Sequence, residues 1–403
     1  MLSIEEALDK IRASIKPLAS EEIFISDALG RVLAEDVTAT LSHPPQAVSA
    51  MDGYAVRASD VAEVPATLTQ IGEAAAGHLF VGTVGPGQCT RIFTGGALPD
   101  GADSIVIQED TTVDGDQITM TEAPKHGAWV RAEGLDFAKG RTLLSSGRLL
   151  SARDLGVAAA AGATWIRVRR KPRIAVLSTG DEIVMPGAPI RPDQIVSSNS
   201  VALVAYADVM GADATSIGVA ADKPESLRER LKDAAGFDML VTSGGASVGD
   251  HDLVQSVFGE EGLELGFYKI AMRPGKPLIF GHIGDTMLLG LPGNPVSTGV
   301  TAAIFMRAAI EQMLGLAPKP MYQAAKLGSD LGPNGKRLDF IRAYLAPSET
   351  HLPTVTPFDR QDSSMMAIFS DADCLIMREI GAPAAKASDT VKIVPLGFSS
   401  RQF

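Results

Sequence analysis

LVTSGGASVGDHD, Leu240 to Asp252, runs from an apolar segment straight into two glycines, a loop of small residues and three ionisable side chains. An apolar run bounded by glycine reads as a buried strand, and the glycines let a ligand approach the backbone behind it. The same grammar recurs on both sides: RIAVLSTGDEI (Arg173–Ile183) and LLGLPGNPVST (Leu288–Thr298) also end apolar runs on glycine. Helix-like segments lie between and after them, at Ser198–Met210, at PESLRERLKDAA (Pro224–Ala235) and at VSTGVTAAIFMRAAIEQML (Val296–Leu314). Strands alternating with helices predict a parallel, doubly wound α/β domain over residues 171–318.

Upstream, MLSIEEALDKI reads as a helix capped by Ser3 and Glu6, with Ile4, Ala7, Leu8 and Ile11 on one apolar face. A second short helix is expected before residue 40. Residues 41–134 then change to short β-branched runs such as CTRIF and SIVIQED among frequent Gly and Pro, a β-rich insert. SARDLGVAAAAGAT, from Ser151, reads as a capped helix that returns to the helical composition of the start, so residues 1–40 and 135–170 are expected to form one discontinuous, elongated domain around that insert. Downstream, residues 319–403 carry RLDFIRAYLA, TVTPF, DCLIMREI and TVKIVPLG between polar turns, which predicts a small C-terminal β-barrel.

The chain has 403 residues, 45% hydrophobic and 21% charged, enough for several cores and unlike a disordered protein. A net charge of -12 argues against nucleic-acid binding, which needs a basic surface to neutralise phosphates, so any anion must be held by a local site. Two cysteines far apart suggest neither a disulfide framework nor a zinc cluster, and a cytoplasmic location is expected. The longest alanine-rich run, LGVAAAAGA, falls far short of the ~20 apolar residues of a membrane span.

In an open α/β sheet, ligands bind outside the carboxyl ends of the strands. Three loops qualify: Thr179-Gly180 with Glu182, Ser243-Gly244-Gly245 with Ser247, Asp250, His251 and Asp252, and Pro292-Gly293-Asn294-Pro295. A glycine after one strand is an ordinary turn; three on one sheet, two of them with carboxylates, point to a site. None matches GxxxxGK[ST] or GxGxxG. Lys269, Arg273 and Lys276 flank Pro274-Gly275 and read either as a solvated patch or as a clamp for phosphate or another oxyanion. Asp52, Asp136, Glu182, Asp222 and Asp252 read either as turn acids or, gathered beside phosphates, as holders of Mg²⁺. Thr94 precedes two glycines, and the SSNS run, Ser197 to Ser200, reads as a helix cap or, second, as a polar ligand contact.

SAMDGYAVR, RIFTGGALPDGAD, VLSTGDEI, TSGGASVGDHD, AMRPGKP and LPGNPVS together resemble, in order, the motifs of the MoeA and gephyrin E-domain family of molybdopterin molybdenumtransferases, over nearly the whole chain. The resemblance implies insertion of molybdate into adenylylated molybdopterin with Mg²⁺-dependent hydrolysis and release of AMP, the last step of molybdenum cofactor synthesis. It implies a homodimer whose active site lies at the subunit interface, with Asp52 and Thr94 from the second subunit and Arg131 and Asp136 bordering the cleft. Glu182, Asp222 and Asp252 match acids needed for activity and are the candidate metal ligands; Lys269, Arg273 and Lys276 match the basic segment. Pro292 and Pro295 shape the last loop, and Ser363 and Ser364 in RQDSSMM match the barrel's share of the site. The adenylyltransferase and molybdoenzyme chaperones are the further partners it implies.

The chain departs from the family at three places. Arg273 stands where lysine is common, Gln46 follows Pro45 where phenylalanine is common, and Asp250 replaces a common glutamate. Two other readings compete: a non-catalytic dimeric scaffold of the gephyrin E-domain type, and a pterin- or nucleotide-binding α/β phosphatase. A scaffold could lose the matched acids, which this chain keeps. A bare phosphatase would not explain the insert or the barrel.

Overall fold

The computed structural model of the chain describes residues 1–245, 253–348 and 352–397. Its central sheet has six strands in the order Asp213–Ala220, Arg173–Thr179, Met239–Ser243, Thr286–Leu291, Pro277–Ile283 and Leu263–Lys269. The first four run parallel. The fifth runs antiparallel to them, because Ile283 pairs with Thr286 across a turn of only two residues, Gly284 and Asp285, too short for a parallel crossover, and the sixth, antiparallel to the fifth, runs with the first four. Ile174, Val176, Met239, Val241, Met287 and Leu289 pack into one core, and the alternate residues Ala175, Leu177, Leu240 and Leu288 into another. Both faces are covered, which is why these strands read as unbroken apolar runs.

The capping box of Ser3 and Glu6 forms, and Ile4, Ala7, Leu8 and Ile11 are buried. That helix packs on the α/β core beside Ile310 and Met313, and Leu18 N–H donates to Met313 O at 2.8 Å. It therefore does not share the core that residues 20–40 build with residues 142–169. The expected second helix is instead the strand Ser20–Phe24, paired with Trp165–Arg169, followed by one 3-10 turn. Its partner lies far along the chain, so local periodicity could not reveal it. Ser151 caps the helix Ala152–Ala160, again through a capping box, with Asp154.

The insert forms a six-stranded sheet in the order Ser104–Ile107, Gly53–Val56, Gln88–Ile92, Ala66–Ala74, Gln117–Met120, Thr111–Asp114. At the C-terminal end, Leu338–Ala346, Thr354–Pro357, Gln323–Leu327, Thr390–Pro395 and Cys374–Arg378 close into a five-stranded barrel, since Leu338–Ala346 pairs with both Thr354–Pro357 and Cys374–Arg378. Closure removes the open edges that so small a sheet would expose. The helix expected over Val296–Leu314 runs as Pro295–Thr301, one π turn at Ala302–Met306, then Arg307–Met313. Thr301 Oγ1 back-bonds to Ser297 O at 2.7 Å just before the π turn, a contact that competes with regular helix geometry. Gly299 lies within this stretch because the ring of Phe369, from the barrel, occupies the place of a side chain: a Cβ there would meet it at 2.2 Å. Cys89 and Cys374 are free and buried, and burial pushes both thiols up to about 12, so they act as inert packing groups.

Candidate active site

The three glycine loops follow strands that are direct neighbours, so they meet at one carboxyl edge. Gly244 N–H donates to Leu291 O at 3.3 Å. A Cβ on Gly244 would lie 2.6 Å from Thr179 O, and one on Gly245 would lie 2.3 Å from Val254 and 2.9 Å from Thr179 Oγ1. Both glycines also have positive φ, 94° and 68°, so no other residue fits without strain. The Thr179 side chain is 4% exposed, and among the described residues its hydroxyl has no hydrogen-bond partner. A buried hydroxyl left unpaired costs about 1–3 kcal/mol, and a polar ligand group in the cradle would relieve it.

Pro292 O accepts the Thr298 hydroxyl at 2.6 Å, Pro295 opens the following helix, and Gly293 and Asn294 remain exposed. Asn294 Nδ2 donates to Ser363 Oγ at 3.0 Å and Val296 N–H to Ser363 O at 3.1 Å, so the barrel closes one side of this loop. Ser364 instead serves its own turn: its hydroxyl and N–H both donate to Asp362 and hold that carboxyl below the usual range. Arg342, 1% exposed, donates to Met365 O, Arg360 O and Gln361 Oε1, and so fixes the segment that carries Ser363; burial pulls its guanidinium down. Sequence reasoning missed Arg342, which sits in a strand motif with no local sign of its targets.

Glu182 folds back over Gly180, whose Cβ would lie 2.6 Å from a Glu182 carboxylate oxygen. Asp222 N–H donates to Asp181 Oδ1 at 3.0 Å. Burial, then the Asp181 charge and more weakly that of Glu182, push the Asp222 carboxyl above its ordinary value. Glu182 and Asp222 thus share one acidic rim with Asp181, although among the described residues no three His, Cys, Asp or Glu side chains form a ready metal cage. Asp252, Ser247, Asp250 and His251 lie outside the described residues.

The cations separate by role. Lys269 pairs with Pro277, and Ile279 with Gly290, so Lys269 ends its strand, and Lys276 precedes the next, at the same edge as the Pro292 loop. Lys269 Nζ lies 4.7 Å over the Tyr268 ring. Arg273 points its fork at Asp339 of the barrel, with nitrogen–oxygen distances of 2.9 and 3.3 Å, where Met272–Arg273 pairs with Leu338 and Asp339. The planar guanidinium is thus engaged in a domain-to-domain ion pair.

Asp52 and Thr94 come together on the inserted sheet: Asp52 Oδ1 accepts Thr94 N–H at 2.7 Å and Thr94 Oγ1 at 2.8 Å. These bonds hold the Asp52 carboxyl below its ordinary value. Arg131 pairs with Val48 in a separate two-stranded ladder, and Asp136, exposed, donates its N–H to His43 O at 3.0 Å. No hydrogen bond or ion pair among the described residues joins this group to the glycine loops.

The expected cap at SSNS takes another form. Ser197 makes no capping bond; its hydroxyl joins Ser178 and Ser200 in a buried chain, each contact 2.8 Å. Asn199 reaches the site, with Nδ2 2.8 Å from Ser243 Oγ and 2.7 Å from Gly293 O.

Residues 2–162 match the MoeA N-terminal region (domain I and II), residues 175–312 a probable molybdopterin binding domain, and residues 324–396 the MoeA C-terminal region (domain IV). The chain is similar to the molybdopterin molybdenumtransferase of Haemophilus influenzae, 32% identical over 400 residues and 98% of each chain. It is also similar to that of Nostoc sp., 38% identical over 324 residues, 78% of this chain and 74% of the relative. Among solved structures, the molybdopterin biosynthesis moea protein from Pyrococcus horikosii superposes with a TM-score of 0.87 at 30% identity, covering 99% of this chain and 100% of that one.

Proposed function

This chain belongs to the molybdopterin molybdenumtransferase (MoeA) family, and from that premise we infer that it transfers molybdenum from molybdate to adenylylated molybdopterin, releasing AMP. The observation that carries the reading is the cradle of Gly244 and Gly245 around the Thr179 hydroxyl, which has no hydrogen-bond partner among the described residues, at the sheet edge that also carries Lys269 and Lys276 and, after the neighbouring strands, Glu182 and Asp222. In the reaction the phosphoanhydride between the pterin phosphate and AMP is cleaved with the elements of water, and two oxygens of molybdate leave as water, with protons from the two thiols and solvent, as its molybdenum becomes bound to the dithiolene sulfurs. The glycine amides and Thr179 hold the pterin phosphate, and Pro292, Gly293 and Asn294 with Ser363 form the opposite wall. Lys269 and Lys276 offset the charge that grows on the departing phosphate and hold the oxyanion. Glu182 and Asp222, whose charges crowd together with that of Asp181, would with Asp252 be the acids that hold Mg²⁺, a cation bound by one or two carboxylates and phosphate oxygens. Such an ion would supply Lewis-acid polarisation of those oxygens. Arg273 sets the barrel against this edge.

The protein acts as a homodimer in this scheme, with Asp52, Thr94, Arg131 and Asp136 of one subunit facing the glycine loops of the other, in the cytoplasm. Purified protein supplied with adenylylated molybdopterin, Mg²⁺ and molybdate is expected to release AMP and to activate an apo-molybdoenzyme. Asp222→Ala and Lys276→Ala are each expected to lower AMP release at least about 100-fold while the protein stays folded. Release that ignores molybdate, or full activity in both variants, refutes the assignment.

A further inference from the structure

We propose that Asn199 is a positioning residue that clamps the second and third glycine loops at a fixed separation, an inference that rests on the molybdenum-transfer reading of this edge. Its single Nδ2 donates to Ser243 Oγ at 2.8 Å and to Gly293 O at 2.7 Å. A backbone carbonyl can only accept, so the amide orientation is fixed by chemistry, and both N–H bonds of the amide are used. Ser243 ends one strand and Gly293 follows the neighbouring one, and Gly293 and Gly244 are close enough that a Cβ on Gly293 would lie 3.5 Å from Gly244 Cα. Asn199 stands on the first turn of the helix Ser198–Val209, which the Ser178–Ser197–Ser200 hydroxyl chain ties to the strand Arg173–Thr179. The first strand, the helix and the amide thus set the width of the cradle that receives the phosphate, and positioning of this kind governs how well bound groups are aligned.

The clamp makes a distinctive prediction for two variants. Asn199→Ala removes both bonds; Asn199→Asp keeps the shape but sets a carboxylate against the Gly293 carbonyl, so it is the worse of the two at pH 7 and recovers as acid protonates it. In the full-length protein without ligand, amide exchange of residues 243–245 and 291–295 is expected to speed up at least about 10-fold in both variants, more in Asn199→Asp, with the rest of the sheet protected. In the AMP-release assay both raise KM about 10–100-fold with a smaller change in kcat. Unchanged exchange in both peptides overturns the clamp, as does loss of protection across the whole sheet in both variants alike. A wild-type protein that releases no AMP refutes the transfer reading instead, and the exchange comparison still judges Asn199.

Discussion

At the scale of single residues, Gly244 shows how much of this site rests on missing side chains. It combines φ of 94° with a backbone oxygen 2.6 Å from where its Cβ would stand, so Gly244→Ala combines left-handed strain with a clash against Thr179. The expected cost is about 2–4 kcal/mol in urea unfolding, with phosphate-group binding lost in the same variant. Glycines of this kind are legible in a sequence, because the demand they meet belongs to their own backbone. Asn199 is not, because its acceptors lie 44 and 94 residues away. Nor is the use of Arg273: the sequence shows a cation beside lysines, while Asp339, supplied by another domain, decides where its fork points.

At the scale of elements, the paired burial of both sheet faces explains why the strands Arg173–Thr179, Met239–Ser243 and Thr286–Leu291 could be read directly, and the helix caps at Ser3 and Ser151 were as plain. Elements whose partners are remote, such as Ser20–Phe24, were not. The start of Met239–Ser243 is pinned by Asp238, whose carboxylate accepts Arg170 Nη1 and Nη2 at 2.7 and 2.6 Å and Arg173 N–H at 2.7 Å. Burial alone would raise this carboxyl; the Arg170 bond and the Arg173 N–H outweigh it and hold it below the ordinary 3.8. A depressed folded pKa stabilises the protein above the ordinary value, and the gain is lost as pH falls through the lower folded one. Asp238→Asn is therefore expected to cost about 2 kcal/mol at pH 7. The gap from wild type should shrink below about pH 4 in urea unfolding at stepped pH.

At the scale of the whole molecule, the separation of Asp52 and Thr94 from the glycine loops is what the proposed shared site must bridge. If two subunits complete each other, Asp52→Ala and Glu182→Ala proteins, each inactive alone, will complement after subunit exchange. Random pairing makes half the dimers mixed with one intact site in each, so about a quarter of wild-type AMP release should return. No recovery in a verified mixed dimer would place both residues in the same subunit's site. The sequence by itself determined the α/β domain, the glycine loops at its strand ends, the barrel and the family, because apolar alternation, turn glycines and ordered motifs are written within short stretches of chain. Only the tertiary structure decided that the first helix joins the α/β core, that Arg273 pairs with Asp339, that Asn199 bridges Ser243 and Gly293, and that Arg342 holds the segment whose Ser363 meets Asn294. Each of those is a contact between residues far apart along the chain, fixed by packing and hydrogen-bond geometry that no local pattern encodes.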